Sequence, residues 1–138
     1  MKIEPALYEE LVAHALKEAP DECCGLVAAK DGVATRVYPA TNIHASPLRY
    51  EIDGLEIIRI HREIEELGWE LGAIYHSHTR SAPFPSQTDI NLALVPDSRQ
   101  PLWPGTIYII IGVAAKDPEV RAYRIDADGV EEVALSVQ

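Results

Sequence analysis

The chain is short of basic residues, short of cysteine and without a long apolar run, and each shortage closes off a class of function. Twelve Lys and Arg stand against 22 Asp and Glu, a formal net charge of -10 over 138 residues. Neutralising phosphates takes clustered Lys and Arg, so no nucleic acid is expected as a partner. No stretch approaches the roughly 18 apolar residues needed to cross a bilayer, so no membrane partner is expected either. The opening Met1-Lys2-Ile3-Glu4-Pro5 lacks the apolar core of a secretory signal. The two cysteines, Cys23 and Cys24, are neighbours and cannot staple distant parts of the chain to one another. A reduced, cytoplasmic protein is the reading this favours. There is no internal repeat, low-complexity tract or linker, and the length suits one domain over residues 1–138 that buries about two-thirds of its unfolded surface.

What is present alternates between helical and strand patterns. Leu7, Leu11 and Ala15 make an apolar line, predicting a helix from Pro5 to about Ala19 that Pro20 stops. Cys24 to Ala29 reads as a strand, Asp31-Gly32 as a turn and Val33 to Tyr38 as the returning strand. Leu48 to Ile52 predicts a further short strand. A second helix is expected from about Gly54 to Leu67, with Ile57, Ile60, Ile64 and Leu67 inward and Gly68 as its end. Leu71 to Tyr75 is a buried strand, Gln87 to Val95 a third helix, and the Pro-rich 96–104 a connection. Thr106 to Val113 is apolar on both parities, which predicts a central strand covered on both faces. Glu119 to Ile125 and Val130 to Val137 complete the set. The fold class is α/β, a mixed sheet packed by helices.

The chemistry concentrates in His76-Ser77-His78, seven residues, Ser86, two residues, Asp89. His76 and His78 sit where the strand from Leu71 ends, and residues i and i+2 of a strand share a face, so both rings can converge on one point. Asp89 falls one turn inside the third helix. Two histidines and a carboxylate give three protein ligands and leave the fourth position of a tetrahedral zinc open, the pattern of a catalytic site rather than a structural one. A zinc held there, one per chain, would lower the pKa of a bound water from about 15.7 toward about 7. Ser86-Gln87-Thr88-Asp89 also fits a helix N-terminal cap, and the two readings are partly compatible because a helix start also fixes a ligand's direction.

This spacing resembles that of the JAMM metalloproteases, the catalytic branch of the MPN domain family. A second element, Asp21-Glu22-Cys23-Cys24-Gly25-Leu26, is similar to the family's segment bearing a general base, and Asn42 to Pro47 with Arg49 to Asp53 is similar to its linker into the second helix. The resemblance implies an MPN (cytidine-deaminase-like) fold. It implies zinc on His76, His78 and Asp89, Glu22 as general base, and Ser86 stabilising the oxyanion. Asp21 is the nearest rival to Glu22. His14 and His61 are expected in ordinary helix-face roles, and Trp69 and Trp103 as anchors of the core or an interface. Cys24 is expected as a small core residue and Cys23 as partly exposed, Arg80 suits a substrate contact and a solvated loop charge equally, and His44 is not named as a ligand.

Members of this family cut peptide or isopeptide bonds next to the C-terminal tail of a ubiquitin-like protein, and short prokaryotic ones act on sulfur-carrier proteins. The resemblance therefore implies a metallopeptidase or isopeptidase acting after a carrier's C-terminal Gly-Gly. Two other readings stand beside it: a non-catalytic MPN scaffold that binds partners, and a zinc hydrolase of small amides. An isoleucine-rich strand near a sheet edge would support a homodimer.

Overall fold

The computed structural model describes all of residues 1–138. In chain order it contains β1 (Lys2–Ile3), α1 (Pro5–Glu18), β2 (Cys24–Lys30), β3 (Val33–Ala40), α2 (Gly54–Glu66) and β4 (Glu70–His78). Then come α3 (Gln87–Ala93), β5 (Ile107–Gly112), β6 (Glu119–Asp126), β7 (Gly129–Val133) and β8 (Ser136–Val137). All eight strands form one mixed sheet in the order β7-β6-β5-β4-β2-β3-β1-β8. β4 and β5 run parallel at its centre, joined by a crossover that contains α3, whereas β2 is antiparallel to both β3 and β4.

Strand alternation sorts the central residues onto two faces. Ala73, Tyr75, Ile109 and Ile111 pack with Leu11 and Ala15 of α1. Ile74, Tyr108 and Ile110 pack with Ile60 and Ile64 of α2 and Ala93 of α3. Helices on both faces explain why β5 is apolar on both parities. β5 lies between β4 and β6, so the isoleucine-rich strand is interior rather than near an edge and offers no edge for a second copy to pair with.

Four further expectations change. Leu48 to Ile52 forms no strand, only a bridge between Asn42 and Ile52. Pro47 has no N–H to give a ladder, and the Arg49 carbonyl accepts the Asn42 side chain instead of a backbone donor. α3 stops at Ala93 rather than Val95, because Leu94 is already extended (φ -121°, ψ 148°) and bridges to Pro101. Leu67, expected inward, is the C-terminal cap of α2 and 47% exposed. The last predicted strand divides: β7 pairs with β6, while β8 crosses to the far edge beside β1.

One glycine is explained by a close approach. Gly25 faces Tyr75 across the β2–β4 ladder, and a Cβ there would lie 2.5 Å from both the Tyr75 ring and the Tyr38 carbonyl oxygen. The Tyr75 hydroxyl reaches on to His14 Nδ1 of α1 at 2.7 Å. Gly25 thus gives the ring the room to tie α1 to the strand that carries the site.

Candidate metal centre

His76 and His78 close β4 on the face of α2 and α3, at the carboxyl end of the parallel pair, where crevices of open α/β sheets take their ligands. Ser77 between them faces the other way. Its Oγ accepts the Cys23 N–H at 2.8 Å, and its own N–H donates to the Cys23 carbonyl at 3.1 Å. These two bonds sew the entry of β2 to the end of β4, which brings Glu22 beside the histidine pair.

The histidine tautomer follows from its neighbours. His78 Nδ1 lies 2.8 Å from the Ala82 carbonyl oxygen, which can only accept, so Nδ1 carries the proton. In the neutral ring Nε2 is then a lone pair, and it faces His76 Nε2 at 3.1 Å and Asp89 Oδ2 at 3.0 Å. His76 Nε2 is 3.1 Å from the same Oδ2. Three electron-pair donors, all buried, converge on one point. Ligand atoms about 2.0–2.1 Å from a tetrahedral zinc stand about 3.3 Å from one another. The donor set and its spacing fit that ion.

The loop supplying Ala82 is itself held in place. Tyr123 donates its hydroxyl proton to the Pro83 carbonyl at 2.5 Å, and Pro83 lies over Gly112 of β5, where a Cβ would meet its ring at 2.9 Å. Asp89 is set by the start of α3: its Oδ2 accepts the Ser86 N–H at 2.9 Å, and its own N–H donates to Ser86 Oγ at 3.1 Å. One carboxylate oxygen therefore closes the capping box and also faces both imidazoles. Ser86 is exposed, and because its Oγ accepts in the cap, its O–H proton stays available to a substrate.

Charge in the cluster follows from burial and contact. Burial pushes the Asp89 carboxyl up, but hydrogen bonds to His76 and His78 outweigh it and hold the group well below the usual carboxylate range. Burial lowers His76, an effect that Asp89 only partly offsets. Burial acts the same way on His78, where bonds to Asp89 and the Ala82 carbonyl win and raise it. Glu22 is 6% exposed, and burial pushes its carboxyl up to about 7, His78 opposing and Asp89 adding. Its Oε1 is buried with no hydrogen-bond partner. An unpaired buried acceptor costs about 1–3 kcal/mol, so the fold tolerates strain at the atom a general base would use.

Glu22 is held by its backbone. Its N–H donates to the Ser46 carbonyl at 2.9 Å, and its carbonyl accepts from Asn42 Nδ2 at 3.0 Å. Asn42 also donates to the Arg49 carbonyl, and its Oδ1 accepts the N–H groups of His44 and Glu51. All four hydrogen-bonding positions of the amide are used. The reading of the sequence missed Asn42, because a loop asparagine gives no sign of which distant carbonyl it binds.

The remaining candidates lie elsewhere. Asp21 is partly exposed, with its N–H on the Glu18 carbonyl. His14 packs against Tyr75 on the α1 face, His61 pairs with Glu65 at 2.9 Å, and His44 pairs with Glu51 at 3.0 Å. Arg80 is exposed. Trp69 and Trp103 pack on the core beneath α2. Cys23, expected to be partly exposed, is buried and free like Cys24, and burial pushes both thiols up to about 12, which makes them inert.

Against known proteins, residues 4–126 match the family model of prokaryotic homologs of the JAB domain. The chain is 36% identical over 140 residues to the CysO-cysteine peptidase of Mycobacterium tuberculosis, covering 98% of this chain and 89% of that one. It is 31% identical over 137 residues to the desampylase of Haloferax volcanii, covering 94% and 91%. Among solved structures, a protein from Desulfitobacterium hafniense superposes with a TM-score of 0.83 at 30% identity, covering 99% of this chain and 92% of the other.

Proposed function

The chain belongs to the prokaryotic branch of the JAB-domain family, and from that membership we propose that it is a zinc-dependent peptidase or isopeptidase. Its substrate is a ubiquitin-like or sulfur-carrier protein, cut at the amide bond after the C-terminal Gly-Gly. The observation that carries the reading is the convergence of His76, His78 and Asp89 beside the buried, unpartnered Oε1 of Glu22. The relatives named CysO-cysteine peptidase and desampylase support the carrier-protein substrate.

His76, His78 and Asp89 would hold the ion. When bound, it supplies a Lewis acid that polarises the scissile carbonyl and makes water a nucleophile near neutral pH. Glu22 takes the proton of the attacking water at Oε1 and returns it to the leaving nitrogen, which cannot depart as an amine anion. Burial disfavours the charged form of this carboxyl, which suits it to taking up the proton and passing it on. Ser86 donates its O–H to the carbonyl oxygen as negative charge develops there. The buried free thiols suit a reducing, cytoplasmic setting.

The test is incubation with carrier proteins extended past Gly-Gly, a single cysteine being the first extension, with intact mass followed with and without chelator. Zinc-dependent trimming to Gly-Gly is the expected result. One bound zinc per chain without cleavage would move the search to small amides, and neither zinc nor cleavage would leave a scaffold. Ser86→Gly is expected to slow cleavage about 100- to 1000-fold while costing the α3 cap only a few tenths of a kcal/mol. Turnover measured beside a urea melt separates the two roles, and wild-type turnover in the variant would leave Ser86 a cap alone.

A further inference from the structure

The two histidines of the centre are not held alike. The ring of His78 is fixed by its Nδ1–H on the Ala82 carbonyl, with the Ser81 hydroxyl 3.3 Å from the same atom. His76 Nδ1 is buried and has no hydrogen-bond partner. Ligating histidines are ordinarily oriented through this second nitrogen, so another contact must set the plane of His76. The ring of Tyr50 lies over it, with centroids 4.1 Å apart and planes 17° from parallel. Tyr50 is 5% exposed and packs in the core with Ile52, Ile74 and Tyr108, so it cannot swing away without opening that core.

We propose that Tyr50 is a positioning residue for the metal centre: its ring face fixes the plane of His76 and so aims Nε2 at the point shared with His78 and Asp89. The inference rests on the metal-centre reading above. The segment that delivers Tyr50 is the one that holds Glu22. Ser46 accepts the Glu22 N–H, and Asn42 spans the Glu22 carbonyl and the Arg49 carbonyl, the residue next to Tyr50. Residues 42–51 therefore set the base and one ligand together. The stacking contact needs a flat ring and makes no demand on the hydroxyl, so Phe must serve and a flexible aliphatic chain must not.

The test compares wild type, Tyr50→Phe, Tyr50→Leu and Tyr50→Met for zinc affinity by competition with a chromophoric chelator. The visible absorption of the cobalt(II)-loaded proteins and thermal melts of the metal-free proteins are recorded beside it. Tyr50→Phe is expected to match wild type. Tyr50→Leu and Tyr50→Met are expected to bind zinc about 10- to 100-fold more weakly, with an altered cobalt spectrum. Met, unbranched and adaptable in cores, keeps the comparison standing if the Leu variant does not fold. Wild-type zinc affinity and cobalt spectrum in the folded Met variant, even with a lowered melt, would overturn the proposal and leave Tyr50 a core residue. Wild type that binds no zinc would instead remove the metal-centre reading, a result distinct from any difference among the Tyr50 variants.

Discussion

Glu22→Gln is expected to keep its zinc and lose hydrolysis, by about 100- to 10,000-fold, the range over which a positioned acid–base group acts. The amide matches the carboxyl in shape and cannot accept a proton from water, while the three ligands are untouched. Metal content and carrier cleavage measured on the same preparation decide it. Full activity would transfer the base role to another group, and lost zinc would show that Glu22 helps to hold the ion. The same substitution has a consequence for stability in the metal-free protein. Burial raises the Glu22 carboxyl from 4.5 to about 7, so the folded state binds more protons than the unfolded state between those values. Stability from this group is therefore present at low pH and is lost as pH rises through about 7, by about 2 kcal/mol once solvent screening is allowed for. Gln carries no charge to desolvate. Metal-free Glu22→Gln should melt higher than wild type at pH 8, and the gain should shrink at pH 5. An equal difference at both pH values would show that the carboxyl is not held in an environment hostile to its charge.

Asp89→Asn is expected to weaken zinc binding by more than about 100-fold and to remove activity with it, while α3 stays folded. Oδ2 of Asp89 meets the Ser86 N–H and both Nε2 atoms. An asparagine oxygen can still accept the Ser86 N–H, so the cap survives. It supplies no negative charge, and an ion held by two neutral imidazoles and an amide has lost its one anionic ligand. Chelator competition reads the affinity, and circular dichroism of the metal-free protein reads the helix. Zinc bound as tightly as in wild type would take Asp89 out of the ligand set. A lost helix would show that the charge, and not merely an acceptor, is needed by the cap.

The parts of the site written in consecutive residues were legible, and those written across the sheet were not. His76 and His78 could be aimed together from a run of five apolar residues before them, because strand alternation has a fixed period. Asp89 could be placed one turn into a helix by the Ser86 cap. The partners of these groups could not be read. Ala82 is an ordinary loop residue whose side chain says nothing of its carbonyl, and Gly112 makes room for Pro83 from a strand more than 25 residues downstream. Asn42 and Tyr50 lay in a stretch already noted for its resemblance to the family, but their contacts run to Glu22 and His76, 20 and 26 positions away. Leu48 to Ile52 misled for the same reason: its alternation suits a strand, and only the folded chain shows a side chain occupying the ladder.

By itself the sequence determined the chemistry: which donors are present, that three of them suit a zinc with an open position, and that a helix cap and a strand end would carry them. These depend on local periodicity and on residue type, both of which are properties of the chain before it folds. Tertiary structure alone decided how each donor is held. It placed Glu22 beside the histidines through Ser77 and Asn42, made one oxygen of Asp89 serve both cap and cluster, and laid Tyr50 on the ring of His76. It also decided the charge of each group, because a pKa is set by burial and by neighbours from other elements. Contacts between distant segments form only when the sheet closes around them, and no period in the sequence encodes which atoms then meet.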